Sequence, residues 1–383
     1  MKILISSDVN EYQISGATNA VYGLRDELEK LGHDVRMLLV SPGRKSYKSG
    51  TTYYIGSFPV PVYPTARVSL KTHDKFINEL IEWGPDIAHI QSEFSSRILA
   101  NRIIKTLKIP FVITCHAMYE DYTMYFCPNK KLGKAIIKHY SNKYYNPSKL
   151  LIVPSEKLKK VEVEYGVKCP IEVVPNGIRL ERYQKRLSAK EKSGLLSKYG
   201  LSPSDKILVT VSRMAAEKNI DEILSYMPDL LAKEPNVKLV LVGDGPYRAK
   251  LARMVERLNL QNNVIFTGAV APDEVYKYYQ LGEAFVCAST SETQGLTYIE
   301  AMASRLPLVC KKDECLNGVL DHKNGFIFDN KDEFIHGVLA IFNDRKLAKK
   351  MGKVSFERSN QYGVEEFGKK IEKIYKKVVR QDS

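Results

Sequence analysis

KILVTVSRMAAEKNIDEILSYMPDLLAKEPNVKLVLVGDGP, residues 206–246, holds two short apolar runs, KILVTVS (206–212) and VKLVLVG (237–243), with a helical pattern between them. Each run is short and continuously apolar, the mark of a strand buried on both faces of a parallel sheet. Parallel neighbours need a crossover, and the helical stretch supplies one. The same unit recurs outward. NVIFTG (263–268), EAFVCAS (283–289) and LPLVC (306–310) continue the series, and an earlier one runs through KILIS (2–6), DVRMLLV (34–40), DIAHI (86–90), FVITC (111–115) and LLIVP (150–154). Two successive series describe two doubly wound α/β domains rather than one barrel.

The length of 383 residues suits that division, and 44% hydrophobic with 27% charged residues and one Trp fits a globular chain with sizeable cores. The expected domains are residues 1–175 and 176–362, with the helical stretch of 363–383 crossing back onto the first. Val174-Pro175-Asn176-Gly177 between the series reads equally as a hinge or as a surface turn. MKILISSD lacks the features of a signal peptide, and no apolar run approaches the ~18 residues of a membrane span. The expectation is a cytoplasmic protein whose membrane contact is peripheral. The six cysteines show neither a Cys-x-x-Cys pair nor zinc spacing, so reduced thiols are expected. The net charge is +14, and residues 101–160 carry 12 Lys or Arg against 3 Asp or Glu.

In open parallel sheets ligands collect beyond the carboxyl ends of the strands, so the residues following each run are the candidates. After EAFVCAS comes Ser291-Glu292-Thr293-Gln294-Gly295-Leu296-Thr297-Tyr298-Ile299-Glu300, running into an apparent helix. Gly295 lets backbone pass close to a ligand, and the N–H groups at Leu296 and Thr297 suit a phosphate. Glu292 and Glu300 could accept hydrogen bonds from vicinal hydroxyls, one pair on a ribose and one on a hexose. A helix start enriched in Glu by the helix dipole explains these residues equally well. Arg213 and Lys218, after KILVTV, are either a diphosphate-neutralising pair or two surface cations. Gly243-Asp244-Gly245-Pro246 is not the Gly-x-Gly-x-x-Gly fingerprint, since residue 248 is Arg, which removes the main support for a nicotinamide or flavin and favours a tight turn. Gly16-Ala17 falls in the loop after the first strand, where backbone N–H groups could meet a pyrophosphate. His116 directly follows FVITC and precedes Tyr119, Glu120, Asp121 and Tyr122, a group suited to substrate contact, though a lone strand-end histidine is often a packed one.

Taken in order along the whole chain, these segments resemble the retaining family-4 glycosyltransferases of the GT-B fold. The match includes the Gly16 loop, His116, Pro175-Asn176-Gly177, Arg213 with Lys218, the turn at Gly243, and Glu292 with Glu300. Many members carry Gly-Gly where this chain has Gly16-Ala17. The resemblance implies two Rossmann-like doubly wound domains facing a central cleft, the first for the acceptor and the second for a nucleotide sugar. It implies that Glu300 holds the ribose, and that Glu292, Thr293, Gln294 and Gly295 hold the hexose. Arg213, Lys218 and the amides of Leu296 and Thr297 would hold the diphosphate, with Gly16, Ala17 and Gly243 also beside the donor. His116 would orient sugar and acceptor, and Tyr119, Glu120 and Asp121 the acceptor. No metal or cofactor beyond the nucleotide sugar is implied.

Within that family, Thr114 to Tyr122 and Ser291 to Thr297 are similar to segments of bacterial 1,2-diacylglycerol 3-glucosyltransferases, with Ala117 where those enzymes have Thr. That likeness implies UDP-glucose as donor and diacylglycerol as acceptor. Galactose or mannose as the sugar, and another lipid, a polysaccharide or a protein as the acceptor, remain alternatives, as does a decayed, inactive membrane-binding relative. Lys130, Lys131, Lys134 and Lys138 mix with aliphatic and aromatic residues at helical spacing, as in a helix lying on an anionic bilayer or a solvated helix over an apolar core. Nucleic acid is a poorer partner, since no recognised binding module is present.

Overall fold

The computed structural model describes residues 1–8, 16–60, 63–92, 94–118 and 129–382. The chain forms two compact units, Met1–Ile178 with Val364–Ser383, and Arg179–Gly363. The first unit runs β1 (Lys2–Ser7), α1 (Gly16–Lys30), β2 (Asp34–Val40), β3 (Tyr47–Ser49), β4 (Thr52–Ile55), β5 (Phe58–Val60), β6 (Tyr63–Val68), α2 (Lys75–Trp83), β7 (Ile87–Ile90), α3 (Ser95–Leu107), β8 (Phe111–Thr114), α4 (Lys130–Tyr145), β9 (Leu150–Val153), α5 (Glu156–Glu164) and β10 (Ile171–Val173). The second runs α6 (Glu181–Gln184), α7 (Ala189–Lys198), β11 (Lys206–Val211), α8 (Ile220–Lys233), β12 (Val237–Val242), α9 (Arg248–Arg257), β13 (Val264–Gly268), α10 (Val275–Tyr279), β14 (Ala284–Cys287), α11 (Leu296–Ala303), β15 (Leu308–Lys311), β16 (Gly325–Phe328), α12 (Lys331–Asn343) and α13 (Arg345–Ser359). The chain then returns to the first unit as α14 (Val364–Asp382).

The first unit is built on an eight-stranded sheet ordered β10-β9-β8-β7-β1-β2-β4-β3, with only β3–β4 antiparallel, and β5–β6 forms a separate antiparallel pair. Alternation along β1 divides its side chains between two cores. Leu4 joins Leu38, Ile77, Leu99 and Ile103 beneath α2 and α3, whereas Ile3 and Ile5 join Val21, Leu24 and Leu28 of α1 and Phe367, Ile371 and Ile374 of α14. Covered on both faces, the central strands are mostly apolar, with buried polar exceptions such as Ser6, His89 and Thr114. The α14 residues Val364, Phe367, Ile371, Ile374, Tyr375 and Val378 recur at helical spacing and are buried. Close approach here requires glycine: a Cβ on Gly177 would lie 2.6 Å from Phe367 Cβ and 2.7 Å from Val364 Cα. Val174-Pro175-Asn176-Gly177 is therefore packed chain under α14, with Val174 and Asn176 buried.

The second unit carries a parallel six-stranded sheet ordered β13-β12-β11-β14-β15-β16. β11 lies between β12 and β14, so the order in which strands are added reverses at β11, and the loops that leave β11 and β14 start side by side. That switch point is where this architecture holds ligands.

Candidate active site

Three strand-end loops of the second unit meet at the switch point. The β11 loop makes a short 3-10 turn at Ala216–Lys218 and leaves it through Asn219, left-handed at φ 49°. Asn219 Nδ2 donates to the Ala288 carbonyl at 3.2 Å and Ser291 Oγ to the Glu217 carbonyl at 3.3 Å, which fastens this loop to the one leaving β14. The β12 loop lies on the same backbone: Met214 N donates to Asp244 O and Tyr247 N to Met214 O, each at 2.9 Å. A Cβ on Gly243 would sit 2.1 Å from Ser212 O, and one on Gly245 2.3 Å from Met214 O. Only glycine allows two chains to lie this close.

This arrangement brings residues that are distant in sequence into contact. Lys218 Nζ meets Glu292 Oε1 at 2.5 Å, with only 20% and 17% of the two side chains exposed. Burial pulls the Lys218 ammonium down, but the Glu292 carboxylate outweighs it, and the net displacement is upward. Arg213, an exposed side chain, places Nη2 2.7 Å from Glu217 Oε1. Gly295 caps α11 at φ 70° and ψ 63°, with no side-chain cap bond. A Cβ there would also lie 2.3 Å from the Tyr298 ring, so both conformation and space demand glycine. Leu296 and Thr297 are thus the first residues of α11, with Gln294 buried and Thr293 partly exposed just before them.

Glu300, on α11, is half-buried beside Tyr279 and Tyr183. Burial pushes it up to about 7, against the pull of hydrogen bonds from Tyr279 and Tyr183. Tyr279 Oη donates to Oε2 at 2.8 Å. Neither tyrosine stood out in the sequence, since both sit in short helices, α10 and α6, set several residues beyond the preceding strand.

In the first unit Gly16 and Ala17 are placed differently from expectation: they open α1 instead of lying in the loop before it. A glycine is tolerated at the very start of a helix, and the change leaves their N–H groups in the first turn, where an anion is favoured. His116 follows β8 and reaches Gln91 at the end of β7, Nε2 to Oε1 2.7 Å. An amide oxygen only accepts, so Nε2 carries the proton. Burial holds His116 down at about 4, which keeps it neutral at pH 7. Gln91 Nε2 in turn lies 3.2 Å from the His89 ring, whose Nδ1 is 2.5 Å from Tyr375 Oη and Nε2 2.7 Å from Thr114 Oγ1. Burial, then the neighbouring His116, pushes His89 down to about 3. Asp8, at the end of β1, accepts from Phe94 N at 3.0 Å and Ser96 N at 2.8 Å, capping α3 from another strand, and burial raises it to about 6. Gln91 and Asp8 become visible only once β1, β7 and β8 are neighbours.

Tyr119, Glu120, Asp121 and Tyr122 lie outside the described residues, as does the side chain of Lys130. Lys131, Lys134 and Lys138 are exposed on α4, beside Leu132 at 54% and Ile136 at 52% exposure, while Ile137, Ser141 and Tyr145 face inward. Among the described residues no helix is long and apolar enough to cross a membrane.

Comparison with known proteins gives this site its chemical class. Residues 14–182 match the model for Glycosyltransferase Family 4 and residues 195–358 that for Glycosyl transferases group 1. An alpha-monoglucosyldiacylglycerol synthase of Streptococcus pneumoniae is 32% identical over 98% of this chain and 85% of its own. A protein of the same description from Acholeplasma laidlawii is 28% identical over 98% of this chain and 96% of its own. Among solved structures, Anabaena Alr3699/HepE in complex with UDP and glucose superposes with a TM-score of 0.75 at 18% identity, covering 98% of this chain and 100% of that one. A glycosyltransferase from Rickettsia africae gives 0.77 at 18% identity, over 99% and 98%. Two doubly wound units, each matched by the family's own models, and a relative at this identity across nearly the full length establish that the chain is a hexosyltransferase of the GT-B fold belonging to the family-4 glycosyltransferases.

Proposed function

We propose that the enzyme transfers glucose from UDP-glucose to the free hydroxyl of diacylglycerol, with retention at the anomeric carbon, and so makes a membrane glycolipid. The observation that carries the donor half is the Lys218–Glu292 pair, fastened at the β11–β14 switch point beside Arg213 and the start of α11. A diphosphate bound there would draw Lys218 from Glu292 and free that carboxylate for hydroxyls of the hexose. Arg213, Lys218 and the N–H groups of Leu296 and Thr297 would then stabilise the negative charge that grows on the departing diphosphate. Charge stabilisation by groups already in place is the largest single contribution in many enzymes. Glu300 would take the ribose, and Gly16, Ala17, Gly243, Thr293, Gln294 and Gly295 would complete the donor contacts. The neutral His116 would orient sugar and acceptor, and Tyr119, Glu120 and Asp121 the acceptor.

Diacylglycerol and glucose are supported by the two relatives described as alpha-monoglucosyldiacylglycerol synthases, and UDP by the Anabaena complex. An acceptor of this kind lies in a bilayer, so the enzyme would work peripherally on the cytoplasmic face of the cell membrane. The exposed face of α4 supports that placement, because Leu132 and Ile136 stand out among Lys131, Lys134 and Lys138. Each cation near an anionic surface contributes about 1 kcal/mol of attraction. The test is a product assay pairing UDP-glucose, UDP-galactose and GDP-mannose with diacylglycerol and with glycosylated diacylglycerol. The expected product is monoglucosyldiacylglycerol with the α-anomer seen by NMR; a β-anomer or transfer from another donor alone would overturn the reading.

A further inference from the structure

Glu300 differs from Glu292 in what surrounds it. Glu292 faces an ammonium, whereas the groups that steady the Glu300 carboxylate are two phenols, Tyr279 at 2.8 Å and Tyr183. Both tyrosines are buried, and a phenylalanine would fill the same apolar space. A buried hydroxyl needs a partner, and here two rings share one carboxylate, with the Thr297 carbonyl 3.4 Å from Tyr279 Oη as a longer second acceptor. The rings are themselves fixed. Tyr183 and Tyr279 meet edge to face at 6.0 Å and 77°, Tyr279 packs on Phe285 at 6.0 Å, and Phe285 meets Tyr298 edge to face at 6.0 Å. Tyr298 is the ring against which Gly295 closes, so one aromatic chain links the support of Glu300 to the loop that begins α11. Ser304 Oγ holds the Tyr183 carbonyl at 3.2 Å and locks α6 onto the end of α11.

We propose that Tyr183 and Tyr279 are positioning residues of the donor site: their hydroxyls hold the Glu300 carboxylate so that its remaining lone pairs accept the two ribose hydroxyls of the nucleotide. The inference rests on the assignment of Glu300 to the ribose. A carboxylate offers about four acceptor positions, so two phenols leave room for the two hydroxyls of a vicinal diol. Among the described residues on the elements packed against α11, no other charge performs this task. α13 and β15 also pack on α11, but Arg358 is engaged by Asp321 at 2.9 Å and Lys311 by Glu222 at 2.5 Å. Arg305 lies over the Phe356 ring, and Arg182, on α6, acts on Tyr183.

The experiment compares Y183F, Y279F, E300Q and each tyrosine substitution combined with E300Q, with UDP-glucose varied from pH 5.5 to 8.5. Each tyrosine variant should raise the donor KM roughly tenfold, the worth of one hydrogen bond to a charged group, with kcat nearly unchanged. Each should also move the acid limb of kcat/KM to higher pH, since the anion loses a donor while its burial remains. E300Q should raise KM at least as far, abolish the limb, and make the added tyrosine substitutions silent. If E300Q weakens the donor while Y183F and Y279F keep wild-type KM and acid limb, the positioning role is wrong and the ribose assignment stands. If E300Q leaves KM unchanged, the ribose assignment fails and takes this inference with it. Should Y279F fail to fold, Y183F, in a short helix at the edge of the unit, carries the same readouts.

Discussion

Replacing Lys218 with Met should damage stability and turnover by separable amounts. The Lys218 and Glu292 side chains are about four-fifths buried and 2.5 Å apart. An exposed pair contributes about 0.2–1 kcal/mol, whereas removing one partner of a fully buried pair costs about 3–5 kcal/mol by leaving a charge without its counter-ion. The intermediate burial here puts the loss near 2 kcal/mol. For a domain the size of Arg179–Gly363 that lowers Tm by roughly 4–8 °C. Adding Glu292→Gln removes the stranded anion, so the double variant should recover about half of the lost stability. Turnover should not recover, because the phosphate still lacks its cation: kcat should fall about 10²–10³-fold in K218M and stay there in the double variant. Thermal melts and steady-state rates with UDP-glucose on the four proteins of this cycle separate the two effects. A coupling below about 0.3 kcal/mol would mean the ion pair is a contact without energetic weight. Wild-type kcat in K218M would refute the role of Lys218 at the leaving group.

Gly295→Ala should cost about 1–3 kcal/mol and raise the donor KM, because the left-handed φ of 70° and the Tyr298 ring 2.3 Å from a Cβ both resist a side chain; a Tm and KM equal to wild type would show that the α11 start tolerates movement. The first unit should lose stability on acidification. His89 and His116 titrate near 3 and 4 when folded against 6.5 in an open chain, so between pH 6.5 and 4 the unfolded state binds more protons and stability falls as pH falls. Asp8 opposes this between 3.8 and about 6, where the folded state holds the extra proton, so below pH 6 the net slope is near one proton, about 1.4 kcal/mol per pH unit. Asp8→Asn should steepen that part of the melt-versus-pH curve, and a flat curve from pH 6.5 to 4.5 would contradict the burial of the two histidines. Lys131, Lys134 and Lys138 changed together to Glu should abolish salt-sensitive flotation with anionic vesicles while sparing UDP binding; undiminished flotation would move the membrane contact elsewhere.

The central strands of both sheets were legible because burial on both faces makes them short, mostly apolar runs: KILIS, DVRMLLV, DIAHI, FVITC and LLIVP became β1, β2, β7, β8 and β9, and the second series became β11 to β15. The elements that escaped are short or peripheral. β3 is Tyr-Lys-Ser at the sheet edge, with all three residues exposed, so no apolar pattern is required of it. β16, Gly325–Phe328, begins with a glycine that looks like a turn but is there because Leu308 O lies 2.0 Å from where its Cβ would be. Gly243 is similar, for its need is set by the Ser212 backbone just past the end of the neighbouring β11. A sequence shows a glycine but not which chain passes over it.

The same limit explains why the types of the candidate residues were readable and their pairings were not. Lys218 and Glu292 are neighbours only because β14 crosses to lie against β11, past β12 and β13 on the other side. Gln91 reaches His116 only because β7 and β8 run side by side. In each case the strand order converts a residue of fixed chemistry into one of fixed environment. It decides that one glutamate, in the loop after β14, confronts an ammonium while the other, the fifth residue of α11, meets phenols with its carboxyl pushed to about 7. Two carboxylates in unlike surroundings are suited to unlike tasks. The glutamate beside Lys218 is released only when an anion competes for that cation, which ties its availability to the arrival of the diphosphate. Glu300 depends on no such exchange and needs only to be ionised, so acid should weaken donor binding through Glu300, whose carboxyl burial pushes up to about 7.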